Sequence, residues 1–213
     1  MPECVSIERK RTLEAFGATI VLTPSKEGVD GSIRMAHERL DEDPRRYFMP
    51  NQFDNEANLR SHYETTGPEV FAQTNGEVDV FVAGLGTTGT IMGAGRYLKE
   101  KKPSIRLVAV EPVPGHTIQG LKNMSTSIVP GIYNKELINE KVMVNDAEAF
   151  DAARALALKE GLFVGMSSGA AVVGALKVAS KMRSGTVVTI LPDRGDRYLS
   201  TTLFRSICSK CPP

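Results

Sequence analysis

The sequence predicts an α/β protein of three layers, with a mostly parallel sheet covered by helices on both faces. Three observations predict it. Short apolar runs rich in Val and Ile alternate with helical patterns along the chain. Most of those runs are continuously apolar, as strands buried on both faces are. The run that ends at Val82-Ala83 passes through a turn of Gly and Thr into a small-residue helix, which is the βα junction of such sheets.

In chain order, a helix is predicted from Ser6 to Phe16, with Gly17 as its stop. Ala18 to Leu22 is predicted as a buried strand, and Thr23-Pro24-Ser25 as a turn. Ile33, Ala36 and Leu40 have helical spacing, and Asp43-Pro44 ends that helix. Tyr47-Phe48-Met49 is predicted as a short strand. Asn51 to Asn55 is a polar loop around Phe53. A helix follows from Glu56 to about Thr66, and another begins at Gly67-Pro68-Glu69 with Pro at its first position. Asp79 to Ala83 is a strand, and the helix from Thr90 is stopped by Pro103. Ile105 to Val110 and Lys141 to Val144 are strands. Between them, Glu111 to Tyr133 has no clear period, and a loop of that length inside a compact domain is usually functional. Asn145-Asp146 caps a helix that Gly161 ends. Ser167-Ser168-Gly169 opens the last long helix, and Thr186 to Leu191 is a β-branched strand.

Composition narrows the class. A formal charge of +1 leaves no electrostatic footprint for nucleic acid or an anionic membrane. No apolar run approaches a membrane span, and Met1 is followed by polar residues, so a cytoplasmic setting is the default. The 3 cysteines are an odd number, which argues against a disulfide framework. Cys208 and Cys211 form a lone C-x-x-C in a polar tail. A zinc site needs about four ligands and no second pair exists, so no metal site is expected.

The stretch with the most chemistry is Gly84-Leu85-Gly86-Thr87-Thr88-Gly89-Thr90. Its amides and hydroxyls can converge on one anion at a helix N-terminus. Gly86 and Gly89 permit close approach or positive φ. The local reading is a phosphate cradle, although a Gly-rich strand-to-helix turn also serves plain α/β packing. No Lys-Ser or Lys-Thr follows the last Gly, so it is not the loop of an ATPase. The spacing G-x-G-x-x-G is formally met, and Glu111 stands where a ribose-binding carboxylate would. An NAD-dependent enzyme therefore stays open on spacing alone. In a parallel sheet, ligands bind at the carboxyl ends of the strands, where loops 51–55, 84–90, 111–125 and 192–197 gather.

Several collinear motifs carry a resemblance. They are Asn51-Gln52-Phe53-Asp54-Asn55-Glu56-Ala57-Asn58, Thr66-Gly67-Pro68-Glu69, Gly86 to Thr90, Ile118-Gln119-Gly120, Pro130-Gly131, Ser167-Ser168-Gly169-Ala170-Ala171 and Arg194-Gly195-Asp196-Arg197-Tyr198-Leu199-Ser200-Thr201. Together the chain resembles the cysteine synthase (O-acetylserine sulfhydrylase) family of pyridoxal-phosphate enzymes, fold type II, and in Thr87-Thr88 and Arg194 to Tyr198 its B-type branch. The resemblance implies that Gly86, Thr87, Thr88, Gly89 and Thr90 hold the phosphate of pyridoxal 5'-phosphate. It implies that Gln52 binds the amino-acid carboxylate and that Gly120 belongs to a mobile loop over the active site. Lys122 matches a basic residue facing an anionic substrate group, whereas composition alone reads it as a surface lysine. Asp193 takes the place of the group facing the pyridine nitrogen, usually a hydroxyl. Glu111 becomes structural.

The implied reaction is β-replacement on O-acetylserine or O-phosphoserine by a sulfur nucleophile, giving L-cysteine in a homodimeric enzyme. The resemblance also implies a further stretch ahead of Met1-Pro2-Glu3, carrying the Schiff-base lysine. No lysine here stands in a matching setting, so no catalytic residue is expected and this chain alone should lack that catalysis. It matches the later two thirds of the family: 1–52 as the remnant of the smaller domain and 53–213 as the larger, phosphate-binding domain. A truncated, non-catalytic paralogue that binds the cofactor, phosphate or a partner synthase is the alternative.

Overall fold

The computed structural model describes residues 1–204. The pair Cys208 and Cys211 lies outside the described residues; Cys4 is exposed. The chain forms two compact units, Gln52–Arg194 and Met1–Asn51 together with the described residues from Gly195.

The larger unit is built on a four-stranded parallel sheet, β1 (Val78–Gly84), β2 (Arg106–Pro112), β3 (Glu140–Val144) and β4 (Thr186–Thr189), in the order β3-β2-β1-β4. Val80 pairs with Arg106 and Gly84 with Val110, which brings the ends of β1 and β2 into line. Alternation along the strands separates two buried faces. Leu107 faces α5 (Gly89–Lys101), where Gly95 admits its side chain. Val110 faces α7 (Met166–Ala179), where Gly174 does the same. Helices thus cover both faces, as the continuously apolar strands predict. Phe81, Leu85, Ile91, Met92, Leu98 and Leu107 form the core between β1, β2 and α5.

Local sequence sets the helix ends. Asn55 caps α3 (Glu56–Glu64) by accepting from the Ala57 amide. Next, α4 begins at Thr66 and runs to Gln73, so Pro68 is its third residue rather than its first, still ahead of the point where its missing amide hydrogen would break the helix. Asn145 and Glu148 form a capping box on α6 (Asp146–Glu160), and Gly161 ends it at φ 68°. The segment after β2 carries only a 3₁₀ turn at Lys135–Leu137, yet it is pinned. Asn123 donates to the Pro112 carbonyl and accepts from Ser125, and the Met124 amide donates to Glu111.

The smaller unit holds α1 (Ile7–Ala15) and α2 (Gly28–Glu42). Arg9 stacks on the Tyr198 ring and donates to its hydroxyl, and Glu8 accepts from the amide and hydroxyl of Ser200. Two expected strands are absent. Ala18–Leu22 is irregular, with pairing confined to an isolated bridge between Pro2 and Thr23, and Tyr47–Met49 forms no strand. β-Branched and aromatic residues favour a strand only where a neighbouring strand completes the ladder.

Candidate functional site

Strand β1 ends at the centre of the sheet, between β2 and β4. Its following loop turns to α5 on one face, while α7 lies on the other, so a crevice opens beyond the strand ends. A cavity of about 190 Å³ fills that crevice. Gly86, Thr87, Thr88, Thr90, Gly120 and Leu121 line one part of it, and Ser167, Ala171, Ile190 and Pro192 another.

The loop is shaped for close approach. A Cβ on Gly86 would lie 2.5 Å from the Gly120 carbonyl oxygen. Thr88, the N-cap of α5, is held at φ 71°, a left-handed conformation that a β-branched residue adopts only under constraint. Thr88 is 3 % exposed. Its hydroxyl has no hydrogen-bond partner among the described residues. A buried hydroxyl left so costs about 1–3 kcal/mol, which a bound acceptor would recover. Thr87 accepts from the Asn58 side-chain amide at 3.0 Å, and Thr90 meets His62 Nε2 at 3.1 Å. His62 Nδ1 lies 2.9 Å from the Thr66 hydroxyl. Burial lowers the His62 pKa, which favours the neutral imidazole.

Not every expected residue reaches the cavity. Gly89 faces α3 instead, where a Cβ would lie 1.9 Å from Asn58 Oδ1. Gln52 is exposed, and its carbonyl accepts from Asn58 at 2.8 Å. Asp193 lies one residue beyond the lining, and its carbonyl accepts from the Gly165 amide. Lys122 differs from the surface lysine that composition suggests. It is 3 % exposed, with its ammonium 4.7 Å from the Phe53 ring centroid, and its amide donates to Leu85. A desolvated cation–π contact of this kind stabilises a buried ammonium. Leu121, its neighbour in sequence, lines the cavity, whereas Lys122 does not.

Glu111 is 5 % exposed, accepts from Met124 and pairs with Lys141 at 3.1 Å. Its carboxylate is spent on bracing the loop, which removes the ribose ligand that a dinucleotide would need.

Three residues stand in the quoted motifs or beside them without a role assigned from sequence. Ser167 is 6 % exposed and lines the cavity, although a Ser in the first turn of α7 reads as an ordinary helix start. Asn58 and His62 touch the loop across 29 and 28 positions, a separation that no local pattern reports. No lysine is among the lining residues, no cluster of metal-ligating side chains occurs among the described residues, and no described helix is long and apolar enough to cross a membrane.

The site fits the phosphate end of a pyridoxal cofactor. Donors converge, the Thr88 hydroxyl lacks an acceptor, and glycines keep the backbone open. Comparisons with known proteins agree. The model of the family described as pyridoxal-phosphate dependent enzyme matches residues 1–193. The chain is 43 % identical over 209 residues to a cysteine synthase of Aquifex aeolicus, covering 96 % of this chain and 64 % of that one. It is 40 % identical over 204 residues to cysteine synthase B of Escherichia coli, covering 96 % and 67 %. The solved O-acetylserine dependent cystathionine beta-synthase of Helicobacter pylori superposes with a TM-score of 0.89 at 39 % identity, covering 96 % of this chain and 69 % of that one. The chain thus spans about two thirds of the length of these relatives. It belongs to the pyridoxal-phosphate dependent enzymes of fold type II, in the cysteine synthase family.

Proposed function

We propose that this chain supplies the phosphate-binding part of an enzyme that makes L-cysteine, by β-replacement on an activated serine with a sulfur nucleophile. The observation that carries the proposal is the buried Thr88 hydroxyl, which lacks an acceptor inside a Gly/Thr loop. O-Acetylserine and O-phosphoserine are both candidate donors. The family resemblance adds a homodimer in the cytoplasm.

Pyridoxal phosphate, when bound, supplies the electron sink for charge at the substrate α-carbon. The chain's own residues hold and orient. Gly86, Thr87, Thr88 and Thr90 would grip the phosphate, with the α5 N-terminus adding its dipole. Ser167 would offer a hydroxyl to the ring, with Asp193 one residue beyond the wall. Gln52 would donate to the substrate carboxylate, and Lys122, next to Leu121 in sequence, would balance an anionic donor or nucleophile. Gly120 would let the 118–122 segment close against Gly86 and exclude water. The amine that carries the aldehyde would come from a lysine outside the cavity lining.

The absence of lysine from that lining also favours a second reading, a non-catalytic chain that holds the cofactor, phosphate or a partner synthase. An NAD-dependent role is disfavoured by the committed carboxylate of Glu111. The test is to follow cysteine formation from each donor with sulfide, alongside the absorbance of added pyridoxal phosphate. Cysteine formation supports the enzyme; saturable cofactor binding without turnover supports the second reading.

A further inference from the structure

We propose that α3 is the back-plate of the anion loop, with Asn58 and His62 as positioning residues that aim the hydroxyl protons of Thr87 and Thr90 into the cavity. The inference rests on the reading that this loop holds a phosphate.

Asn58 and His62 stand four positions apart, on one face of α3. Helix α5 is built to receive that face. A Cβ on Gly89 would lie 1.9 Å from Asn58 Oδ1, and one on Gly93 would lie 2.1 Å from the Leu59 carbonyl and 2.8 Å from His62 Cβ. No other residue type allows α3 so close.

The hydrogen-bond directions follow from the donor inventory. The Asn58 amide nitrogen can only donate. It gives one hydrogen to the Gln52 carbonyl at 2.8 Å and the other to Thr87 Oγ1 at 3.0 Å. The Thr87 oxygen therefore accepts, and its own proton is left for another acceptor. A neutral imidazole has one donor and one acceptor. If Nδ1 accepts from the Thr66 hydroxyl at 2.9 Å, Nε2 carries the hydrogen and donates to Thr90 Oγ1 at 3.1 Å. The Thr90 proton is then free as well. Phosphate oxygens accept, so a loop whose hydroxyls are already satisfied as acceptors is oriented to donate. Fixing them beforehand lowers the ordering cost of binding. Asn58 also ties the Gln52 backbone to Thr87, linking the proposed substrate loop to the cofactor loop.

The test measures the affinity of the full chain for pyridoxal phosphate and for inorganic phosphate, with thermal melts as a fold control. The variants are Asn58→Ala, His62→Phe, His62→Gln, Thr87→Val and Thr90→Val, with the doubles Asn58→Ala/Thr87→Val and His62→Phe/Thr90→Val. Asn58→Ala and His62→Phe should each weaken both ligands about 3- to 10-fold. Each double should be no weaker than its threonine single, because the pair acts through one proton. His62→Gln, which keeps a donor, should regain most of the loss. Single variants that bind like wild type, or doubles whose losses multiply, overturn the inference while leaving the phosphate reading in place. A wild-type chain that binds neither ligand overturns both. The two cycles are independent, so a variant that fails to fold in one leaves the other decisive.

Discussion

The α-carbon of Gly86 faces the carbonyl oxygen of Gly120, and a side chain there would put its Cβ 2.5 Å from that oxygen. Two loops separated in sequence close on each other at this point, and the Lys122 amide, donating to Leu85 at 2.7 Å, keeps them together. Gly86→Ala must therefore displace the 118–122 segment. The expected outcome is a loss of pyridoxal phosphate affinity of about tenfold or more. Fluorescence titration measures it, and a melting temperature close to wild type would place the damage at the site.

The buried Thr88 hydroxyl has no hydrogen-bond partner among the described residues, a cost that a bound phosphate would recover. Thr88→Val keeps the shape and removes the buried hydroxyl. The free protein should gain about 1 kcal/mol of stability, while the affinity for the cofactor falls about 5-fold or more. Urea denaturation with and without pyridoxal phosphate separates the two effects. Equal losses in both states would make Thr88 purely structural.

Ser167 and Asp193 are the two residues proposed to face the ring nitrogen of the cofactor. The Ser167 hydroxyl is in the cavity wall and Asp193 is not. Ser167→Ala should thus weaken cofactor binding about 3- to 10-fold and shift the absorbance of the bound ring, whereas Asp193→Asn should do less. The reverse order would assign the ring nitrogen to Asp193.

The N-terminus of α6 gives the fold a small pH dependence. The Lys177 ammonium at 2.6 Å, and then the Asn145 amide, hold the Glu148 carboxyl below its ordinary value of 4.5. A carboxylate with a lowered folded pKa stabilises the fold fully above its unfolded value. That contribution is lost as pH falls from 4.5 through the lowered folded value. The pair is partly exposed, so Glu148→Gln should cost only about 0.5 kcal/mol at pH 7. Denaturation curves at descending pH should show the difference from wild type shrinking below 4.5.

The sheet and the Gly/Thr strand-to-helix loop were legible because they follow from near-neighbour patterns. β1 and β2 are apolar runs with clear stops, and Gly86 to Thr90 announces a helix N-terminus by residue type. What was not legible depends on contacts far apart in the chain. Asn58 and His62 read as polar positions on a helix until α5 comes against them through Gly89 and Gly93. Lys122 reads as solvated until Phe53 covers it. Ala18–Leu22 reads as a strand because its residues favour one, but that preference decides nothing without a neighbouring strand. The family motifs suggest roles for the loops; the fold shows the residues packed behind them.

The most direct test of the central claim, that the Gly/Thr loop holds the phosphate of pyridoxal phosphate, is a competition titration. The wild-type chain would be titrated with pyridoxal phosphate in the absence and presence of inorganic phosphate, and separately with NAD(H). The account predicts saturable cofactor binding that phosphate displaces and Gly86→Ala weakens, with no matching affinity for NAD(H). Tight NAD(H) binding at the loop, or cofactor binding indifferent both to phosphate and to Gly86→Ala, would contradict it.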